Sequence, residues 1–222
     1  SFHPTMFDAS PLPQGSTIGI LGGGQLGRML ALAAARLGMK THIYCPDPDS
    51  PAFDVTPLKT VAAYDDEAAL ATFAAGVDVV TYEFENVPAK TAAFLANLKP
   101  LRPGANALAV SQDRLAEKTL FREVGVPVPE FADITSRSGL DAAAATIGMP
   151  CILKTRRLGY DGKGQFRIRS STDIEAAWQA LGPQVDTVGL ILEAFVPFQR
   201  ELSVVAVRGR DGEFRTWPLT EN

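Results

Sequence analysis

Hydrophobic positions fall into two textures along the chain. From Thr17 short apolar runs alternate with helical stretches. The pattern predicts a strand over Thr17 to Leu21, a glycine turn, an Ala- and Leu-rich helix over Gln25 to Leu37, and a strand over Lys40 to Cys45. This is a βαβ unit. It continues with a helix near Asp66 to Ala75, a strand over Val77 to Phe84, and a helix opening at Pro88, where proline suits the first turn. Strands alternating with helices predict a parallel sheet covered on both faces. Pro100, Pro103 and Gly104 then punctuate the chain, and two short helical stretches follow up to Val124.

Beyond Pro127 the texture changes. Pro150 to Arg156, Gln165 to Ser170, Leu190 to Val196, Leu202 to Arg208 and Glu213 to Pro218 all read as strands. Helices are expected only over about Leu140 to Ile147 and Thr172 to Ala180. Short Gly-containing connections such as Gly209 to Gly212 predict antiparallel hairpins and an α+β second domain. The expected organisation is a flexible leader over 1–16, an α/β parallel-sheet domain over 17–110 and an α+β region over 111–222.

Composition narrows the function classes. Lysine plus arginine total 21 against 25 for aspartate plus glutamate, a net charge of −4, without the basic excess that nucleic-acid binding needs. The two cysteines, Cys45 and Cys151, are far apart and have no Cys or His partner at metal-ligand spacing, so free thiols in a reducing cytoplasm are expected. No apolar run approaches the roughly 20 residues of a membrane-spanning helix. Neither a nucleic acid nor a membrane is an expected partner.

Candidate chemistry gathers at two glycine-rich places. Gly22, Gly24 and Gly27 follow a strand and open a helix, where the backbone can approach a phosphate at the positive helix end. A nicotinamide cofactor fits such a turn equally well, with Asp47 as its ribose acid. Gln25 in the first helical turn can contact a small ligand, and Arg28 its anionic groups. Glu83 and Asn86, at the end of the strand over Val77 to Phe84, are expected to face the same crevice.

The second place is Ile152-Leu153-Lys154-Thr155 followed by Leu158-Gly159-Tyr160-Asp161-Gly162-Lys163-Gly164-Gln165. Strand alternation puts Ile152 and Lys154 on one face, with the ammonium expected inward beside apolar neighbours. The glycine loop lies between two strands and leads into no helix, so it reads as a hairpin lid over a polyphosphate rather than a Walker loop. Glu193 to Val196 offer an apolar slot with backbone donors and acceptors for an adenine ring, and Glu201 can accept ribose hydroxyls.

These residues, in this order, together with Gln112-Asp113-Arg114, resemble the 5-(carboxyamino)imidazole ribonucleotide synthase family from about Thr17 to the last residue. The resemblance implies a domain like the N-terminal domain of biotin carboxylase, followed by an ATP-grasp module. It implies ATP, aminoimidazole ribonucleotide and bicarbonate as substrates in purine biosynthesis, and a possible homodimer. It further implies that Arg114, Lys154, Gly159, Tyr160, Asp161, Gly162, Lys163, Gly164, Gln165, Glu193, Ala194, Phe195, Val196 and Glu201 hold ATP. Tyr160, Asp161 and Lys163 are then catalytic, and Gly24, Gln25, Leu26, Glu83 and Asn86 lie by the ribonucleotide.

Family members continue past Asn222 into a segment carrying the Mg2+ ligands and the basic residues for the ribonucleotide phosphate. No metal ligand is therefore expected among these residues. The chain reads as an N-terminal fragment that is inactive in isolation. The rival readings are a formate-dependent glycinamide ribonucleotide transformylase, a nicotinamide-dependent oxidoreductase, in which Lys154 and its loop have no role, and a non-catalytic nucleotide-binding module.

Overall fold

A computed structural model describes residues 10–159 and 163–222. By internal packing the chain divides into two compact units, Ser1–Val126 and Pro127–Asn222.

In the first unit, β1 (Thr17–Leu21), α1 (Gln25–Arg36), β2 (Lys40–Cys45), β3 (Leu58–Val61), α2 (Glu67–Ala75), β4 (Val79–Tyr82), α3 (Ala89–Ala96), α4 (Ala105–Ser111) and α5 (Arg114–Glu123) follow in order. The sheet runs β3-β2-β1-β4 and every pair is parallel. Both faces are apolar, as a buried parallel sheet requires. Leu21, Tyr44, Val80, Leu70, Phe73 and Leu95 form one core, and Ile20, Ile43, Ala52 and Phe53 a smaller one. The sequence pattern gave no sign of β3, whose residues are mostly exposed. Pro88 caps α3 rather than opening its first turn. Gly15 and Ser16, expected in the leader, are tied to the turn after α1: the Gly15 N–H donates to the Gly38 carbonyl and the Lys40 N–H to the Ser16 carbonyl.

The second unit contains β5 (Phe131–Ile134), α6 (Arg137–Ile147), β6 (Cys151–Thr155), β7 (Gln165–Ile168), α7 (Ile174–Leu181) and β8 (Leu190–Ala194). Its sheet runs β5-β8-β6-β7, antiparallel throughout. One face, with Leu153, Ile168, Leu190 and Leu192, packs on Leu140 and Ala144 of α6 and on Ile174, Ala177 and Leu181 of α7. β9 (Leu202–Ser203), β10 (Ala206–Arg208), β11 (Phe214–Thr216) and β12 (Thr220–Glu221) form two exposed ribbons, β10 with β11 and β12 with β9. The expected strand over Leu202 to Arg208 is thus two strands, and β5 was not anticipated.

Candidate functional site

Each unit carries its own cluster. In the first, the turn after β1 is built on glycines that nothing larger can replace. Gly22 has φ +111° and lies against the Glu83 side chain, and a Cβ on Gly27 would sit 2.6 Å from the Gly22 carbonyl oxygen. α1 therefore starts hard against the turn, with no side chain capping it. The Gly24 N–H donates instead to Glu83 Oε1 at 2.8 Å. A carboxylate from the end of β4 thus occupies the positive end of the helix, where an incoming phosphate would bind.

Beside the turn is a cavity of about 400 Å³ whose lining includes Gly22 to Gly24, Cys45, Asp47, Ser50, Tyr64, Glu83 and Phe84. Among the described residues its charged lining groups, Asp47 and Glu83, are both acidic. Ser50 Oγ points to Cys45 Sγ (3.2 Å) and to the Asp47 carbonyl (2.8 Å). Tyr64 stacks on Phe84 with ring centroids 6.2 Å apart. Burial, then contact with the Cys45 thiol, pushes the Tyr64 phenol well above its ordinary pKa, so it stays protonated and able to donate.

Of the residues predicted for this crevice, Gly24 and Glu83 line the cavity. Gln25 and Leu26 are exposed on α1, and Asn86 is half-buried in the loop after β4; none of the three is part of the lining. Arg28, expected near ligand anions, faces Asp54 at 3.6 Å. Cys45, Ser50 and Tyr64 were missed, although the rule that ligands gather beyond the carboxyl ends of parallel strands pointed to the end of β2.

The second cluster lies on the sheet face opposite α6 and α7. Cys151, Leu153 and Thr155 take the helix-covered face, so Ile152 and Lys154 stand on the other. The expectation of an ammonium turned toward the apolar core is corrected here. The alternation was read properly, but the core lies behind the odd-numbered residues, because α6 and α7 cover that side. Lys154 Nζ donates to Glu193 Oε2 at 2.8 Å, with side-chain exposures of 22% and 6%. Gln165, Arg167, Ile191, Phe131 and Asp133 share this face by register. Arg156 faces Asp133 at 3.4 Å, and the Arg167 guanidinium sits 4.0 Å from the Phe195 ring centroid.

Glu193 is thus a buried partner of Lys154 rather than a surface charge. The Ala194 N–H is used by the Glu130 carbonyl and the Phe195 N–H by the Pro150 carbonyl, whereas the Val196 N–H has no acceptor among the described residues. Glu201 is exposed beside β9, and Arg114 is the first residue of α5 in the first unit, after its cap Asp113.

The glycine loop joins neighbouring antiparallel strands, with Lys154 opposite Gln165. Thr155 N–H donates to the Gly164 carbonyl, and a Cβ on Gly164, at φ +69°, would meet Thr155 Oγ1 at 2.6 Å. Leu158 also has a left-handed backbone, φ 64°, unusual for a non-glycine residue and a mark of local strain. Gly159 and Lys163 flank the loop centre, Lys163 exposed. Tyr160, Asp161 and Gly162 lie outside the described residues.

Comparison with known proteins matches residues 15–112 to the ribonucleotide synthetase preATP-grasp domain and residues 119–222 to the ATP-grasp domain. The chain is 51% identical over 205 residues to the N5-carboxyaminoimidazole ribonucleotide synthase of Pseudomonas aeruginosa, covering 92% of this chain and 56% of that protein. The solved N5-carboxyaminoimidazole synthetase of Staphylococcus aureus complexed with ADP superposes with a TM-score of 0.91 at 35% identity, over 99% of this chain and 57% of that one. The Aspergillus clavatus N5-carboxyaminoimidazole synthase, solved with ADP and 5-aminoimidazole ribonucleotide, gives 0.82 at 28% identity, over 94% and 54%. The chain spans about half the length of these relatives.

Proposed function

Because this chain belongs to the N5-carboxyaminoimidazole ribonucleotide synthase family of ATP-grasp ligases, we propose that its protein carboxylates 5-aminoimidazole ribonucleotide with bicarbonate, consuming ATP in purine biosynthesis. The observation that carries this reading is the Lys154–Glu193 pair on the sheet face opposite α6 and α7, beside a glycine-rich hairpin. A polyphosphate brings the anion that such a lysine can share with its carboxylate partner.

ATP is assigned to the second unit: Lys154 meets the phosphates, the hairpin from Gly159 to Gln165 covers them, and the segment Glu193 to Val196 reads the adenine edge. The Val196 N–H, without an acceptor among the described residues, is a donor for that edge. Glu201 takes the ribose hydroxyls. The ribonucleotide is assigned to the cavity of the first unit through Gly24 and Glu83, with Gln25, Leu26 and Asn86 around it. Acidic lining suits an amine and hydroxyls rather than a phosphate, and Glu83 on the Gly24 amide argues against a dinucleotide pyrophosphate there.

Bicarbonate is a poor electrophile. Its oxygen attacks the γ-phosphorus of ATP, giving carboxyphosphate and ADP; the exocyclic amine then captures the carboxyl carbon, or the carbon dioxide released, and phosphate leaves. The protein's part is charge neutralisation by Lys154 and Lys163 and exclusion of water by the hairpin, with Tyr160 and Asp161 beside the reacting group. Magnesium normally accompanies ATP in such chemistry. Among the described residues no three His, Cys, Asp or Glu side chains come together as ligands, so no step is assigned to an ion held by them. Among the described residues no helix is long and apolar enough to cross a membrane. The free thiols Cys45 and Cys151 suit a reducing cytoplasm.

The test is a turnover assay of the full-length protein with ATP, aminoimidazole ribonucleotide and ¹³C-bicarbonate. ADP release matched by a ¹³C carbamate signal is expected. ADP release only with formate and glycinamide ribonucleotide would reject the assignment.

A further inference from the structure

The loop after β4 carries Glu83 and Asn86, and among the described residues one side chain holds its backbone from outside. Gln112, the residue that ends α4, donates from Nε2 to the Glu85 carbonyl at 2.7 Å and to the Val87 carbonyl at 2.5 Å. Two carbonyl acceptors leave no ambiguity about which amide atom faces them, because only the nitrogen can donate. Gln112 itself is fixed: its N–H donates to the Leu108 carbonyl, and Leu108 shares the core with Val87. Among the described residues no other side chain bonds the backbone of residues 84–87. The loop's remaining ties are its entry, where the Glu83 N–H donates to the Leu21 carbonyl, and the Val87 N–H to the Phe84 carbonyl.

We infer that Gln112 is a positioning residue for the proposed carboxylation: its amide clamps the Glu85–Val87 turn and so sets where the Glu83 carboxylate stands against Gly24 and the cavity. The next residue, Asp113, accepts from the Leu115 and Ala116 N–H groups and caps α5 independently. Loosening the clamp should therefore disturb the ribonucleotide site and spare the start of α5. The inference rests on the reading that this cavity takes the ribonucleotide.

The test compares Gln112→Met, which removes both donors at similar size, and Gln112→Glu, which also sets an anion against two carbonyls, with Glu83→Gln in the full-length protein. Two lost hydrogen bonds predict a rise of roughly tenfold in KM for aminoimidazole ribonucleotide, with KM for ATP changed by less than about twofold. The Glu variant should be the worse of the two. Glu83→Gln should raise the same KM. If Glu83→Gln raises it and both Gln112 variants leave it unchanged, the clamp is not a positioning device. Equal rises in both KM values, with a lowered melting temperature, would reduce Gln112 to general support and overturn the inference. If Glu83→Gln has no effect, the assignment of the cavity itself fails and the inference falls with it.

Discussion

At the scale of single residues, Lys154 and Glu193 illustrate how a half-buried charge pair can be stable and still available. The ammonium keeps 22% exposure while its partner has 6%, so the lysine has one open side. Removing one member leaves the other poorly solvated, a cost on the order of 3 kcal/mol for a well-buried pair. Lys154→Met, which leaves the more deeply buried Glu193 carboxylate without its cation, should therefore lower stability in chemical denaturation more than Glu193→Ala does. Lys154→Met should also weaken ATP binding at least roughly tenfold by calorimetry, the size of a lost charge-assisted bond. Equal stability loss in both variants with unchanged ATP affinity would make the pair purely structural.

His42 gives a second residue-scale expectation. Its imidazole hydrogen-bonds Thr60 Oγ1 at 2.8 Å and meets Phe73 edge-on, and burial holds its pKa below the ordinary 6.5. The unfolded chain then binds the proton more readily than the folded one, so the contribution is whole above pH 6.5 and is lost as pH falls from there toward the lower folded value. The melting temperature should drop on going from pH 7.5 to 5.5, and less so in His42→Gln. A drop of the same size in the variant would assign the effect to other groups.

Among the elements, the β1–α1 turn is where sequence and geometry correspond most closely. The spacing of Gly22, Gly24 and Gly27 announced a tight turn into a helix, and the contact of Gly27 with the Gly22 carbonyl is its physical content. The carbonyl is backbone and cannot rotate away. Gly27→Ala should cost about 2 kcal/mol, the scale of overpacking a core, and should raise KM for the ribonucleotide through a displaced turn. Urea unfolding would measure the first and steady-state kinetics the second; an unchanged midpoint would mean the turn yields easily.

The spacing did not disclose what fills the turn, because Glu83 reaches the Gly24 amide from 59 positions away. Periodicity also left open which face of β6 was the core. Alternation divides Cys151, Leu153 and Thr155 from Ile152 and Lys154, but only the packing of α6 and α7 decides between them. β3 and β5 escaped notice because each is four residues long and too short to establish a period.

For the whole molecule, a βαβ sheet followed by an antiparallel sheet was legible from the change in texture beyond Pro127. Hydrophobic spacing alone could not choose between a nicotinamide cofactor and a smaller ligand at the first glycine turn, where the structure adds a cavity with acidic lining. The most direct trial of the central claim uses ¹⁸O-labelled bicarbonate with ATP and aminoimidazole ribonucleotide. Attack of a bicarbonate oxygen on the γ-phosphorus leaves that oxygen on phosphorus when the carboxyl carbon departs. The account predicts one ¹⁸O in each inorganic phosphate released, read by mass spectrometry, and phosphate without ¹⁸O, its fourth oxygen taken from water, would contradict it.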